Sequence, residues 1–140
     1  MKGLSLLSIS VLFAASVAGC GTKSASGTLS KEEKLLITDS PEVMYVLDVS
    51  DPDDEAILRS PSIDFSVADL ASSEFKVLAE KMLATVQSPQ QGGVGIAGPQ
   101  VGLNRRVVVV CRTDMEDEPY IVYPNISIVE FMGDKVPGPE

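Results

Sequence analysis

The residues of this chain best suited to chemistry lie in one stretch, GGVGIAGPQVG, from Gly92 to Gly102. It contains a literal G-x-G-x-x-G in Gly93, Gly95 and Gly98, and its only polar side chain after Gln91 is Gln100. A phosphate cradle is one reading. That fingerprint follows a strand, opens a helix and has an acid about 20 residues on. Here it follows a helical pattern instead. Pro99 could start a helix, but Gly102 and Asn104 would end it almost at once, leaving no N-terminus for a pyrophosphate. A structural loop without chemistry is a second reading. A third uses the backbone. Gly93 and Gly95 let a ligand come close, and Val94 between them would expose its N–H and C=O in extended form. An extended peptide adds to such an edge as a strand. The Gln100 amide can donate to a developing oxyanion. The pattern suggests a peptide-binding edge beside an acyl-transfer centre.

The rest of the chain narrows the chemistry. It has 140 residues, enough for one domain, and 44% of them are hydrophobic, so a sizeable core is available. Acids outnumber bases 20 to 11. Nucleic-acid phosphates repel such a chain, which argues against DNA or RNA as a partner. There is no His, which removes the commonest general base and metal ligand. The cysteines are Cys20 and Cys111. Cys111 ends the apolar run RVVVVC and reads as a small buried hydrophobe. Asp51, Asp53, Asp54 and Glu55 read as a solvated turn. Calcium is the alternative, but the EF-hand spacing is missing.

Several elements must position the glycine stretch. From about Asp69 to Val86, apolar residues at Phe75, Leu78, Ala79, Met82, Leu83 and Val86 make one helical stripe, with Asp69, Ser72 and Ser73 as capping groups and Ser88-Pro89 as the stop. KEEKLLI suggests a short helix and EVMYVLDV a strand. Val107 to Val110 is a continuous β-branched run, as in a strand buried on both faces. YIVYPNISIVEF looks like two short strands broken at Pro124-Asn125.

The first residues are not fold. After Lys2 an apolar run from Leu4 to about Val17 is too short to span a bilayer and fits a signal-peptide core. It ends in Val17, Ala18, Gly19 and Cys20, which resembles the lipobox of bacterial lipoproteins, where cleavage precedes the Cys and the thiol takes the lipid. The expected division is a signal peptide over 1–19, a tether and N-terminal extension over 20–50, and a domain over 51–140. The expected location is outside the cytoplasm, on a bacterial membrane through Cys20, with the outer membrane as one destination.

GVGIAGPQVG resembles the first motif of peptide deformylases, G-x-G-x-A-A-x-Q, with Gly93, Gly95, Ala97 and Gln100 matching. Gly98 stands where the family usually has a second Ala, a small swap expected to loosen the loop. AILRSPSIDF, KVLAEKMLATV, NRRVVVV and YIVYPNISI are similar to family segments in the same order, and VPGPE to the lead into the second motif, Glu-Gly-Cys-Leu-Ser. The resemblance covers about Ser50 to Glu140. It implies an α+β fold with antiparallel strands and one main helix. It also implies hydrolysis of the formyl group from N-formylmethionyl peptides by a water on Fe²⁺ or another divalent metal.

By the same resemblance, Gln100 would hold the oxyanion. Gly93, Val94 and Gly95 would line the substrate edge, and Glu140 would order the site from behind the metal ligands. The family's ligands are the Cys of the second motif and two His of a third, His-Glu-x-x-His, and none of these is among the 140 residues. The expectation is therefore an incomplete domain lacking its metal-binding helix, a chain that neither binds the catalytic metal nor turns over substrate. The alternative is a lipid-anchored module that binds peptides without chemistry.

Overall fold

The computed structural model describes residues 26–130 and residue 133. The signal segment, Cys20, most of the tether and Glu140 lie outside them. The fold is α+β. Two short strands, β1 (Ser26–Gly27) and β2 (Asp64–Phe65), pair in parallel. A three-stranded antiparallel sheet runs in the order β3 (Gly95–Ala97), β4 (Val107–Cys111) and β5 (Tyr120–Pro124). Four helices accompany them: α1 (Lys31–Asp39), α2 (Pro52–Leu58), α3 (Val67–Leu70) and α4 (Ser73–Gln87). None is long and apolar enough to cross a membrane among the described residues.

Helix α4 forms the centre because its stripe has material to bury on both sides. Leu78 and Met82 are fully buried, and they share one core with Ile96 and Val109 of the sheet and Ile37 of α1. The helix starts later than its pattern suggests. Ser72 is the N-cap, accepting from the Phe75 N–H, and Asp69 belongs to a separate capping box closed with Ser66 around α3. The stop at Ser88 is as expected.

Three readings need correction. EVMYVLDV forms no strand: no strand among the described residues pairs with it, and its backbone reaches individual groups instead. The Met44 N–H donates to Thr85 Oγ1 at 2.8 Å and the Leu47 N–H to the Gln100 carbonyl at 2.9 Å. β4 is not buried on both faces: Val107 and Val109 are buried, while Val108 and Val110, on the opposite face, are half-buried. Of the two strands expected in YIVYPNISIVEF, only β5 forms. Asn125 turns the chain with a positive φ of 53°. Its side-chain amide accepts from the Phe65 N–H at 2.8 Å and donates to the Phe65 carbonyl at 3.0 Å, as a paired strand would. The acids at 51–55 are exposed or half-exposed, in keeping with a solvated turn, and they start a helix: Asp51 caps α2 by accepting from the Asp53 and Asp54 N–H groups.

The segment before residue 50 is built into the fold. Leu29, Ile37 and Met44 are core residues. Two buried charges hold this strap. Arg105, 2% exposed, uses its whole guanidinium fork. Nε and Nη2 donate to the two carboxylate oxygens of Glu33 at 2.6 and 2.7 Å. Nη1 reaches the carbonyls of Gly27 (2.5 Å) and Asp64 (2.9 Å), and Nη2 also reaches that of Thr28 (3.0 Å). Its cation lies 5.6 Å from the Phe65 ring centre. Asp69, also buried, accepts the Leu29 N–H through both oxygens at 3.1 and 3.2 Å. Lys81 of α4 closes the far end of α1, donating to the Ile37, Thr38 and Ser40 carbonyls, where a cation also suits the helix dipole.

Glu33 additionally closes the α1 capping box with Ser30, so one carboxylate serves the helix start and the buried pair. The hydrogen bond from Arg105 holds the Glu33 carboxyl below its usual range, aided by the Ser30 N–H and opposed by burial. Burial pushes Asp69 upward, but the Ser66 hydroxyl and the Leu29 N–H outweigh it and the net shift is also downward. Carboxyls depressed in the folded state stabilise it above their ordinary values and lose that stabilisation as pH falls. The melting temperature should therefore drop as pH is lowered below about 4.5. Glu33→Gln should cost about 2–3 kcal/mol at neutral pH, because it leaves a buried cation half-paired beside a partly exposed partner. It should also flatten that acid limb, as measured by urea unfolding at pH 7 and pH 4.

Candidate active site

The glycine stretch is shaped by its two flanks. At the end of α4 the chain turns back on itself. The Gly92 N–H donates to the Ser88 carbonyl and the Gly93 N–H to the Val86 carbonyl, at 2.9 and 3.2 Å. Gly92 has a φ of +49°, a conformation that suits glycine. After β3 comes a 3-10 helix, Gly98–Val101, with Pro99 in its first turn. Gly102 ends it in the left-handed region at φ 82°, as the sequence suggests.

The edge of β3 can be derived from the register. The Cys111 N–H donates to the Val94 carbonyl at 2.7 Å, so that carbonyl points toward β4. The peptide unit is planar and trans, which directs the Gly95 N–H the opposite way. Pairing alternates along an antiparallel ladder. Ile96 therefore bonds toward β4, while Gly95 and Ala97 turn their N–H and C=O groups to the far edge, where no strand pairs among the described residues. The Ala97 N–H on that edge is taken by Gln100 Oε1 at 2.9 Å. The groups that remain for a partner are those of Gly95, which is exposed. The expectation for Val94 is thus corrected: its carbonyl belongs to the ladder, and what it exposes is its side chain, 69% accessible. The backbone of Gly93 is likewise engaged, its carbonyl accepting from the Tyr120 hydroxyl at 2.9 Å.

Gln100 is held at its backbone carbonyl and at its side-chain oxygen. Its carbonyl accepts from the Leu47 N–H, and the bond from Ala97 to Oε1 fixes the rotation of the side-chain amide. Nε2 makes no hydrogen bond among the described residues and remains a donor beside the Gly95 edge. A groove of about 860 Å³ runs over the outer face of the sheet, lined by Ala97, Pro99, Val108, Asn125, Ile126 and Ile128 among others. Gly95 and Gln100 do not line it; it adjoins them through Ala97 and Pro99.

Gly98 does not loosen the loop, as the swap from Ala suggested; it tightens it. A Cβ built there would lie 2.5 Å from the Arg105 carbonyl oxygen and 2.9 Å from that of Leu103. Only a glycine lets the 3-10 helix press onto this backbone, and the Leu103 N–H then donates to the Gly98 carbonyl at 3.0 Å.

The described residues do not supply a metal centre of the kind the resemblance implies. No group of three or more His, Cys, Asp or Glu among them is placed to hold an ion. The Cys111 thiol, half-buried rather than buried, donates to the Glu118 carbonyl at 3.3 Å. It shares the helix-facing side of the sheet with Tyr120, opposite the groove. No step through a metal can be derived from these residues. Glu140 and Cys20 lie outside the described residues, so the structure brings together Gly93, Val94, Gly95 and Gln100 alone. Sequence reasoning missed Tyr120 and Arg105. Tyr120 gave no signal, being one of two tyrosines in an otherwise apolar strand. Arg105 gave a weak one, as a cation opening a buried strand in an acidic chain.

The model of the polypeptide deformylase family matches residues 44–140. This chain belongs to that family of hydrolytic enzymes. The chain is 36% identical over 75 residues to a peptide deformylase of Synechocystis sp., covering 53% of this chain and 37% of that one. It is 32% identical over 94 residues to the Xylella fastidiosa (strain M12) peptide deformylase, covering 67% and 51%. It thus spans about half or less of these curated relatives. Among solved structures, it resembles a class I type b peptide deformylase from Acinetobacter baumannii with Met-Ala-Ser bound (TM-score 0.53, 31% identity, 66% of this chain and 58% of that one). It also resembles a Synechococcus elongatus peptide deformylase in complex with actinonin (TM-score 0.52, 27% identity, covering 67% and 47%). The strap before residue 44 lies outside the family match.

Two glycine substitutions should separate close packing from backbone freedom. Gly98→Ala should cost about 3 kcal/mol, since the obstructing atoms are backbone oxygens. Gly92→Ala, which meets nothing within 4 Å, should cost only the left-handed penalty of about 1 kcal/mol. Urea unfolding of both variants measures the difference.

Proposed function

We propose that this chain carries the substrate-recognition half of a peptide deformylase, binding an N-formylmethionyl peptide along the edge of β3. The observation that carries the reading is the pairing of an unpartnered Gly95 edge with a fixed amide donor. The peptide backbone would bond to the Gly95 N–H and C=O as an added strand. The formyl oxygen would then lie toward Gln100 Nε2, which is already oriented and needs no reorganisation to receive developing negative charge. Membership of the family and likeness to the Met-Ala-Ser-bound structure support this substrate class.

Removal of the formyl group calls for a divalent metal, Fe²⁺ or similar, which supplies an activated water in this family. The described residues hold no group placed to bind it, and what they support is peptide recognition. Glu140 would order the metal side of the site. The lipobox-like ending at Cys20 further supports an exported chain held on a membrane by lipid, acting on formyl peptides outside the cytoplasm.

Gln100→Glu keeps the oxygen that accepts from Ala97 and removes the donor. It should weaken binding of formyl-Met-Ala-Ser about tenfold, near the value of one hydrogen bond, with little change in melting temperature. Calorimetric titration that finds equal affinity for both proteins would exclude Gln100 from the formyl site. For the anchor, Cys20→Ala should abolish labelling by a fatty-acid analogue and release the protein from membranes. A mutant still labelled and membrane-bound would sink that part of the reading.

A further inference from the structure

The glycine edge has a weakness that its sequence alone would leave uncorrected. Gly92 and Gly93 lie directly before Val94, and two adjacent glycines give the backbone wide freedom. An edge that must be ordered when a peptide arrives loses affinity by the cost of ordering it. The structure contains a device against this. Tyr120, at the start of β5, projects from the helix-facing side of the sheet beside Cys111, its ladder partner, and reaches back to the Gly93 carbonyl at 2.9 Å. Val94 is therefore pinned on both sides. The Tyr120 hydroxyl holds the peptide unit before it, and the Cys111 N–H holds the unit after it. The second unit carries the Gly95 N–H.

We infer that Tyr120 is a positioning residue for peptide binding: its hydroxyl latches the Gly93 carbonyl and so holds the Gly95 edge ready before the substrate arrives. The inference rests on the recognition reading above and adds to it a residue that touches no substrate. The phenol is half-buried, and burial, with Cys111 and Glu118 nearby, raises its pKa, so it remains a donor throughout the neutral range. The strand offers an internal control. Tyr123 lies on the outer face, and its hydroxyl accepts from Arg112 Nη1 at 2.7 Å. Removing that hydroxyl is the same chemical change in the same strand, away from Gly93.

The test is titration of formyl-Met-Ala-Ser into the ¹⁵N-labelled chain, comparing the native protein with Tyr120→Phe and Tyr123→Phe. Affinity comes from the titration, and the mobility of residues 93–95 from the heteronuclear NOE of the free proteins. Tyr120→Phe should bind about tenfold more weakly and show lowered NOE values at Gly93, Val94 and Gly95. Tyr123→Phe should match the native chain in both. Equal affinity and unchanged NOE values in Tyr120→Phe would overturn the latch and leave the recognition reading standing. Equal losses in both variants would also overturn it, by showing a general loss of stability. A native chain whose Gly95 signal does not move with peptide would defeat the recognition reading itself, and the latch with it.

Discussion

A guanidinium sealed inside a small domain must have all its donors met, or the fold is penalised heavily for burying it. Arg105 meets this condition with groups drawn from two places: Glu33, Gly27 and Thr28 in the strap, and Asp64 in β2. That requirement explains why residues before the family match are part of the core. It also reaches the site. The Arg105 carbonyl is the surface against which Gly98 packs, and Gly98 opens the short helix that presents Gln100. The strap, the buried charge and the amide donor are thus consecutive links of one arrangement. Replacing the pair with apolar residues would remove the groups that define where the Arg105 turn lies.

The candidate site is made almost wholly from backbone. Gly95 presents its peptide groups because the ladder has claimed those of its neighbours. Gln100 presents one end of its amide because Ala97 has claimed the other. Neither residue is activated by a neighbouring charge. What the fold contributes is orientation, the property that an oxyanion-binding donor needs most.

Much of this was legible in the sequence, in proportion to how local the causes were. The stripe of α4, its stop at Ser88, and the end of the 3-10 helix at Gly102 depend on neighbours within a few residues, and they read correctly. EVMYVLDV and NISIV read as strands because their side chains favour strands. Pairing, however, needs a neighbour at the right distance, which side-chain type does not report. Gly98 shows the opposite case. Judged against a family pattern it looks like a loosening, yet its reason is a carbonyl seven positions along the chain. Glu33 and Tyr120 were invisible as supporting residues because the partners that matter, Arg105 and Gly93, lie far away in sequence; the local surroundings of Glu33 mark only its capping box with Ser30.

The strap also sets an order of events. Its bonds to Arg105 span 72 to 78 residues of chain, so the strap is made long before the cation that holds it. Contacts so distant require a large loop to close before they stabilise anything. During synthesis α1 can close its capping box with Ser30 and meet α4 first, but Glu33 gains its guanidinium partner only once residue 105 has been made.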